Sequence, residues 1–292
     1  MSTGMTIEQI EAVQVVVRDA EAVVDEYVRL GFPLAWRGGG SSGWRSAGVS
    51  LGATDLEFVA PGGDGSPQSR FFESALERRG EGPIQLGLRS GDIDVAVERL
   101  REGGIEAAEP VSSDSMRAGE EHENQFRIAL VRGRIGGLRT FIIEWQRRRP
   151  RPTERGNPLR VKKLDHVVIA TADLDDALAQ WERNVGLKTD ASLNQPLGSG
   201  FKVSRLPIGE SFLELVQPVE ENGRFFEQFQ ERGEGLFSIS IEVEDLEVAI
   251  EHLRGRDVHV SDPEPSIWPG ARAARINRGS THGVSIQLIE RS

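Results

Sequence analysis

Two carboxylates and one imidazole stand where their surroundings give them chemical meaning. Glu214 lies inside the apolar run Phe212-Leu-Glu-Leu-Val216, and Glu57 inside Leu56-Glu-Phe-Val59. A carboxylate in an apolar strand is costly unless its side of the sheet faces a polar cleft, a cation or good donors. The same arrangement in both halves of the chain predicts that both glutamates face such a cleft. His166, in Leu164-Asp-His166-Val-Val-Ile-Ala170, shares one strand face with Val168 and Ala170 under period-two alternation. A neutral imidazole there suits a divalent ion such as Zn, Mn, Fe or Ni, or acts as a base. The other histidines (His122, His252, His259 and His282) fall on a polar helix face, in an extended segment and in turns, which predicts exposed or structural roles. No Gly-x-Ser-x-Gly precedes a helix, so a serine nucleophile elbow has no support. The chain has no cysteine, which excludes disulfides, thiolate nucleophiles and zinc–thiolate sites.

The elements that must position these groups are repeated. Arg70-Phe-Phe-Glu73, followed by Gly80-Glu-Gly82 and an apolar run, recurs as Arg224-Phe-Phe-Glu227, Gly233-Glu-Gly235 and a second apolar run. Four aspartates, Asp19, Asp92, Asp173 and Asp245, each follow a strand-like run and precede apolar residues at helical spacing. Each reads as the N-cap of a helix with one buried face. The unit is therefore a strand, a helix and about three strands, present four times. Such a unit leaves one sheet face bare. Pairing two closes a half-open barrel with a concave cleft, a natural ligand site. The expected fold is α+β, with modules at 6–147 and 163–292 joined by a basic, Pro-containing linker at 148–162. Gly38 to Gly43 is expected to be a flexible turn. The phenylalanine pairs Phe71-Phe72 and Phe225-Phe226 are expected in the core, and Trp44 and Trp268 along a cleft.

Net charge is −11 over 292 residues, yet residues 147–163 carry eight Lys or Arg against Glu154. The acidic remainder argues against a nucleic-acid surface, and the basic run reads as a solvated linker. The N-terminus lacks the pattern of a signal peptide, and no apolar run has membrane-spanning length. A cytoplasmic protein with no membrane partner is expected.

Leu164-Asp-His166-Val-Val-Ile-Ala170 with the Asp173 helix, the Gly-Glu-Gly-Leu236 entry to a strand, and Phe141-Ile-Ile-Glu-Trp145 resemble the vicinal oxygen chelate superfamily. That group includes glyoxalase I, methylmalonyl-CoA epimerase, extradiol dioxygenases and bleomycin-resistance proteins. The resemblance covers nearly the whole chain as two tandem glyoxalase-type modules. It implies four strand positions converging on one divalent ion. In the second module they fall on His166, Glu214, Ser238 and Gln287; in the first, on Ala12, Glu57, Gln85 and Glu144. The second set lacks the middle imidazole and ends in an amide, and the first has no imidazole. A partial metal site of His166, Glu214 and Gln287 is one expectation, and no metal at all is the other. In the first module, Glu57 and Glu144 approaching around Gln85 would form a metal-free acid–base pair.

Two functions follow from the resemblance. One is an enzyme of the lyase, isomerase or epimerase, or dioxygenase type, acting on a carbonyl- or oxygen-rich small molecule in the second cleft. There His166, Glu214 and Gln287 would bind metal or substrate. The other is a metal-free protein that sequesters a small organic molecule. Tandem modules supply internally the pairing that single-module relatives obtain by dimerising, so a monomer or a homodimer is expected.

Overall fold

The computed structural model describes residues 7–41, 43–117, 120–148, 156–189, 200–221 and 223–291. The first half runs β1 (Ile7–Val16), α1 (Ala20–Arg29), β2 (Leu34–Ser41), β3 (Trp44–Leu51), β4 (Thr54–Pro61) and α2 (Pro67–Arg79). It continues with β5 (Gly82–Ser90), α3 (Ile93–Glu102), β6 (Val111–Arg117), β7 (Glu120–Leu130) and β8 (Thr140–Arg147). The second half has β9 (Val161–Ala170), α4 (Leu174–Val185), β10 (Phe201–Ile208), β11 (Ser211–Pro218) and α5 (Arg224–Arg232). Then follow β12 (Gly235–Val243), α6 (Leu246–Arg254), β13 (Glu264–Pro265), β14 (Ala271–Arg275) and β15 (Ile286–Arg291). Residues 149–155 of the proposed linker, and residues 190–199 between α4 and β10, lie outside the described residues.

All four predicted caps form. The side-chain oxygens of Asp19, Asp92, Asp173 and Asp245 accept from backbone N–H groups in the first turns of α1, α3, α4 and α6. Each of these helices buries its Ala/Val/Leu/Ile stripe against a sheet.

The two sheets are curled and share one pattern. Their strand orders are β2-β3-β4-β1-β5-β8-β7-β6 and β10-β11-β9-β12-β15-β14-β13. At the centre, β1 pairs antiparallel with β5 in the first sheet and β9 with β12 in the second. A parallel neighbour flanks each of them, β4 and β8 in the first sheet, β11 and β15 in the second. Both sheets turn their helix-side residues, such as Val13, Leu56, Val167 and Leu213, into a single core shared by the two halves. Their opposite faces are the concave ones. His282 ties the halves together: its Nδ1 is 2.7 Å from Glu81 and its Nε2 3.0 Å from Glu26. Tyr27 also donates its hydroxyl to the Thr281 carbonyl at 2.9 Å.

One local expectation is corrected. The glycines after Gly38 continue β2 to Ser41 instead of turning. A Cβ at Gly39 would stand 2.5 Å from Ser46 Oγ, so the glycine admits close strand contact beside the Trp36 ring.

Candidate functional site

The concave face of the second sheet carries a closed polar cluster. His166 comes from β9, Arg205 from β10, Glu214 from β11, Ser240 from β12 and Gln287 from β15. The β10–β11 hairpin pairs Arg205 directly opposite Glu214, which puts both side chains on one face. Arg205 is 2% exposed and its Nε donates to Glu214 at 2.9 Å. Its guanidinium lies 3.6 Å from the centre of the Trp268 ring, and Trp268 donates its indole N–H to the same Glu214 oxygen at 2.7 Å. Arg205 Nη2 lies 3.3 Å from His166 Nδ1. Burial draws the Arg205 guanidinium below its ordinary range, and the charge and hydrogen bond of Glu214 oppose that.

A second chain of contacts meets the first at His166. Its Nδ1 lies 2.6 Å from Asp165 Oδ2, and Arg291 grips Asp165 with two hydrogen bonds of 2.6 and 2.9 Å. Burial alone would raise the Asp165 carboxyl, but the hydrogen bonds from His166 and Arg291 hold it well below the usual carboxylate range. Asp165 sits at a register shift between β9 and β12, which brings a residue adjacent to His166 into its plane. His166 Nε2 contacts the Ser240 hydroxyl at 2.9 Å, and that hydroxyl lies 2.9 Å from the Gln287 carbonyl oxygen.

His166, Glu214 and Gln287 are thus brought to one face together with Trp268. Ser238 stands one step along β12, opposite Val168, and Ser240 takes the place expected of it beside His166. Four groups escaped the sequence reading: Arg205, Ser240, Asp165 and Arg291. Arg205 had a usable signal. A turn at Gly209-Glu210 fixes a hairpin in which residue 205 faces residue 214.

The residues present do not fit a divalent metal. Glu214 Oε2 already accepts from Arg205 and Trp268, and His166 Nε2 is engaged by Ser240. A guanidinium carries positive charge against the carboxylate that would otherwise neutralise the ion. Among the described residues no group of three or more His, Cys, Asp or Glu is arranged to hold a metal.

The first sheet keeps the glutamate and differs at the other matching places. Strand registers equate Ala12 with His166, Glu57 with Glu214, Gly48 with Arg205 and Gly87 with Ser240. A Cβ on Gly48 would meet the Trp36 ring at 2.6 Å, and one on Gly87 would meet Phe141 at 2.5 Å. Aromatic rings therefore fill the space that Arg205 and Ser240 use in the other module. What remains polar is a chain in which Gln85 donates to Gln14 at 2.5 Å and Gln14 donates to Glu57 at 3.0 Å. Burial pushes the Glu57 carboxyl up to about 7; the Gln14 hydrogen bond opposes it, and Asp55 and Glu11 add repulsion.

The expected Glu57–Glu144 pair does not form. Phe141, Ile143 and Trp145 share the concave face of β8, so alternation places Glu144 on the helix side. There Arg127 bonds it at 3.4 Å and Asp94 of α3 at 2.7 Å. Trp44 packs with Phe72, Val59 and Phe71 under α2, on the sheet face that also carries Gly48 and Glu57.

Fold and cleft together define a tandem βαβββ protein of two diverged barrel-like modules, one bearing a buried cation on its concave face. The chain belongs to the glyoxalase/bleomycin resistance protein/dioxygenase superfamily. That superfamily's model matches residues 165–274, and a glyoxalase-like domain model matches residues 13–162. The chain is 26% identical over 134 residues to a mitochondrial methylmalonyl-CoA epimerase of Dictyostelium discoideum, spanning 45% of this chain and 80% of that protein. It is 31% identical over 110 residues to an ethylmalonyl-CoA/methylmalonyl-CoA epimerase of Cereibacter sphaeroides, spanning 37% and 81%. A mutant 4-hydroxymandelate synthase from Streptomyces coelicolor shares the fold over 99% of this chain and 94% of its own, with TM-score 0.72 and 18% identity. Among the described residues no helix is long and apolar enough to cross a membrane.

Proposed function

We infer that the protein is an enzyme that moves a proton next to a carbonyl, of the isomerase or epimerase type, in the concave cleft of the second module. A guanidinium does there the electrostatic work that a divalent ion does in metal-using relatives. The observation that carries this is Arg205, buried on Trp268 and bonded to Glu214 at the matching ligand position. Among the described residues its Nη1 has no hydrogen-bond partner, which leaves one arm of the fork for a substrate oxygen. As a proton leaves the adjacent carbon, charge grows on that oxygen, and a fixed cation in a water-poor site stabilises it. His166 is the base: Asp165 holds its Nδ1 and Arg291 holds Asp165, so Nε2 is the nitrogen that takes the proton. Ser240, able to turn its hydroxyl to Gln287, frees that nitrogen.

The curated relatives are epimerases of ethylmalonyl-CoA or methylmalonyl-CoA, so acyl thioesters with an acidic α-hydrogen are the first substrates to test. In D2O the protein is expected to wash deuterium into the α-carbon of such a thioester, and His166→Gln is expected to slow this by at least about a hundredfold. Exchange by the variant at the wild-type rate would overturn the role of His166.

A second reading, sequestration of a small molecule without turnover, is favoured by closure of the cluster. Ser240, Arg205 and His166 are 1%, 2% and 3% exposed, so a ligand must move the side chains that cover them, Trp268 over Arg205 among them. Ligands that raise thermal stability and shift Trp fluorescence without any exchange would select that reading.

A further inference from the structure

The repeated Gly-Glu-Gly stretches meet at the junction of the two halves, and among the described residues the arginines around them form no ion pair. Arg79 ends α2 and Arg232 ends α5, so the two are duplicates of one position. Each Gly-Glu-Gly packs on a turn of the other half. A Cβ at Gly82 would stand 3.6 Å from the Gly283 carbonyl, and one at Gly137 would stand 3.0 Å from Glu234. Arg134 and Arg139 flank the Gly136-Gly137 turn, and Arg278 closes the other by donating to the Gly283 carbonyl at 2.7 Å. Five arginines from both halves thus share one face of an acidic protein.

Their bonds are to backbone and rings, not to acids. Arg134 donates to the Gly137 carbonyl at 2.6 Å, and Arg232 to the Leu236 carbonyl at 3.1 Å while lying over Phe237. Arg139 lies over Phe71. Among the described residues none of the five has a carboxylate within ion-pair distance, although Arg18, Arg37, Arg101, Arg127, Arg132, Arg254 and Arg272 all do. The glutamates of the two Gly-Glu-Gly stretches spend their hydrogen bonds elsewhere, and Glu234 and Glu231 offset only part of the repulsion. Glu81 accepts from the Arg18 backbone and His282, and Glu234 from Thr171 and Ala172. Burial, then Arg139 and Arg79, draw Arg134 below its ordinary range against the pull of Glu234; burial, then Arg278 and Arg79, draw Arg232 down to about 10 against the pull of Glu231. Arginine stays protonated at neutral pH, so the repulsion persists until an anion relieves it.

We propose that this junction is an anion site for a ligand carrying two or more linked phosphate groups, with Arg79 and Arg232 as its central forks. Guanidinium forks match phosphate oxygens bidentately, and a row in which Arg79 links Arg134 and Arg139 to Arg232 and Arg278 exceeds what a single monoanion neutralises. The site lies at the Gly235–Ala170 end of the β9–β12 pair, several residues from the Ser240–His166 pair, and does not depend on the reaction inferred there.

Calorimetric titration of the full chain with inorganic pyrophosphate tests this. Saturable binding of one pyrophosphate per chain is expected. Arg79→Ala/Arg232→Ala is expected to weaken it at least about tenfold, from the loss of two charge-assisted contacts. Arg132→Ala/Arg254→Ala removes equal charge from ion-paired sites, and its affinity is expected to match the wild type. Arg79→Ala alone, at an exposed residue, keeps the comparison available if the double variant does not fold, with an expected loss of several-fold. Absence of pyrophosphate binding, equal losses in both double variants, or a preference for duplex DNA with no response to pyrophosphate would each overturn the proposal.

Discussion

Arg205→Met is expected to destabilise the protein by about 3–5 kcal/mol, because it strands the Glu214 carboxylate inside the cluster without its cation. Glu214 is 4% exposed and would keep only the Trp268 indole as a donor. The lost ring contact on Trp268 adds to the effect. Arg205→Met/Glu214→Leu removes both charges and is expected to recover most of that loss, since an apolar pair of similar volume is often neutral against a buried ion pair. Urea unfolding of the two variants beside wild type checks this. Equal losses in the single and double variants would mean that Arg205 contributes packing and not charge balance.

Glu57→Gln is expected to stabilise the first module at alkaline pH and to do nothing in acid. The folded carboxyl titrates at about 7, against an ordinary value of 4.5. Across that window the folded protein holds a proton that the unfolded chain has released, so stability falls as pH rises from 4.5 to 7. Above pH 8 the cost is fully present, at about 3 kcal/mol. Glutamine keeps an acceptor for Gln14 and has no charge to bury. Unfolding free energies at pH 4 and pH 8 should therefore differ less for the variant than for wild type. A variant as pH-sensitive as wild type would show that Glu57 does not carry the titration.

Much of the fold was legible because its signals are local. Four aspartate caps and their apolar stripes specify four helices without reference to the rest of the chain, and the duplicated Arg-Phe-Phe-Glu to Gly-Glu-Gly string sets the architecture. The clefts were legible in outline from Glu57 and Glu214, whose apolar flanks leave only the concave face for their carboxylates. What remained hidden depends on register. Ser238 and Ser240 share a face and differ by one strand step, and a register shift at Asp165 decides which meets His166. Glu144 likewise differs from a cleft residue only by parity along β8. Arg205 looked like an ordinary polar strand residue until paired with Glu214. The divergence of the first module was hidden for a further reason: Gly48 and Gly87 are informative only once the Trp36 and Phe141 rings are seen to fill the space above them.

The role inferred for Arg205 is that of resident cation in the second cleft. It is tested most directly by titrating the purified, metal-stripped chain with Zn, Mn, Fe and Ni, with wild type and His166→Ala side by side. The predicted result is that the two bind the same amount of metal, with no stoichiometric site that depends on His166. One equivalent of any of these ions per chain, held by wild type and lost in His166→Ala, would contradict it.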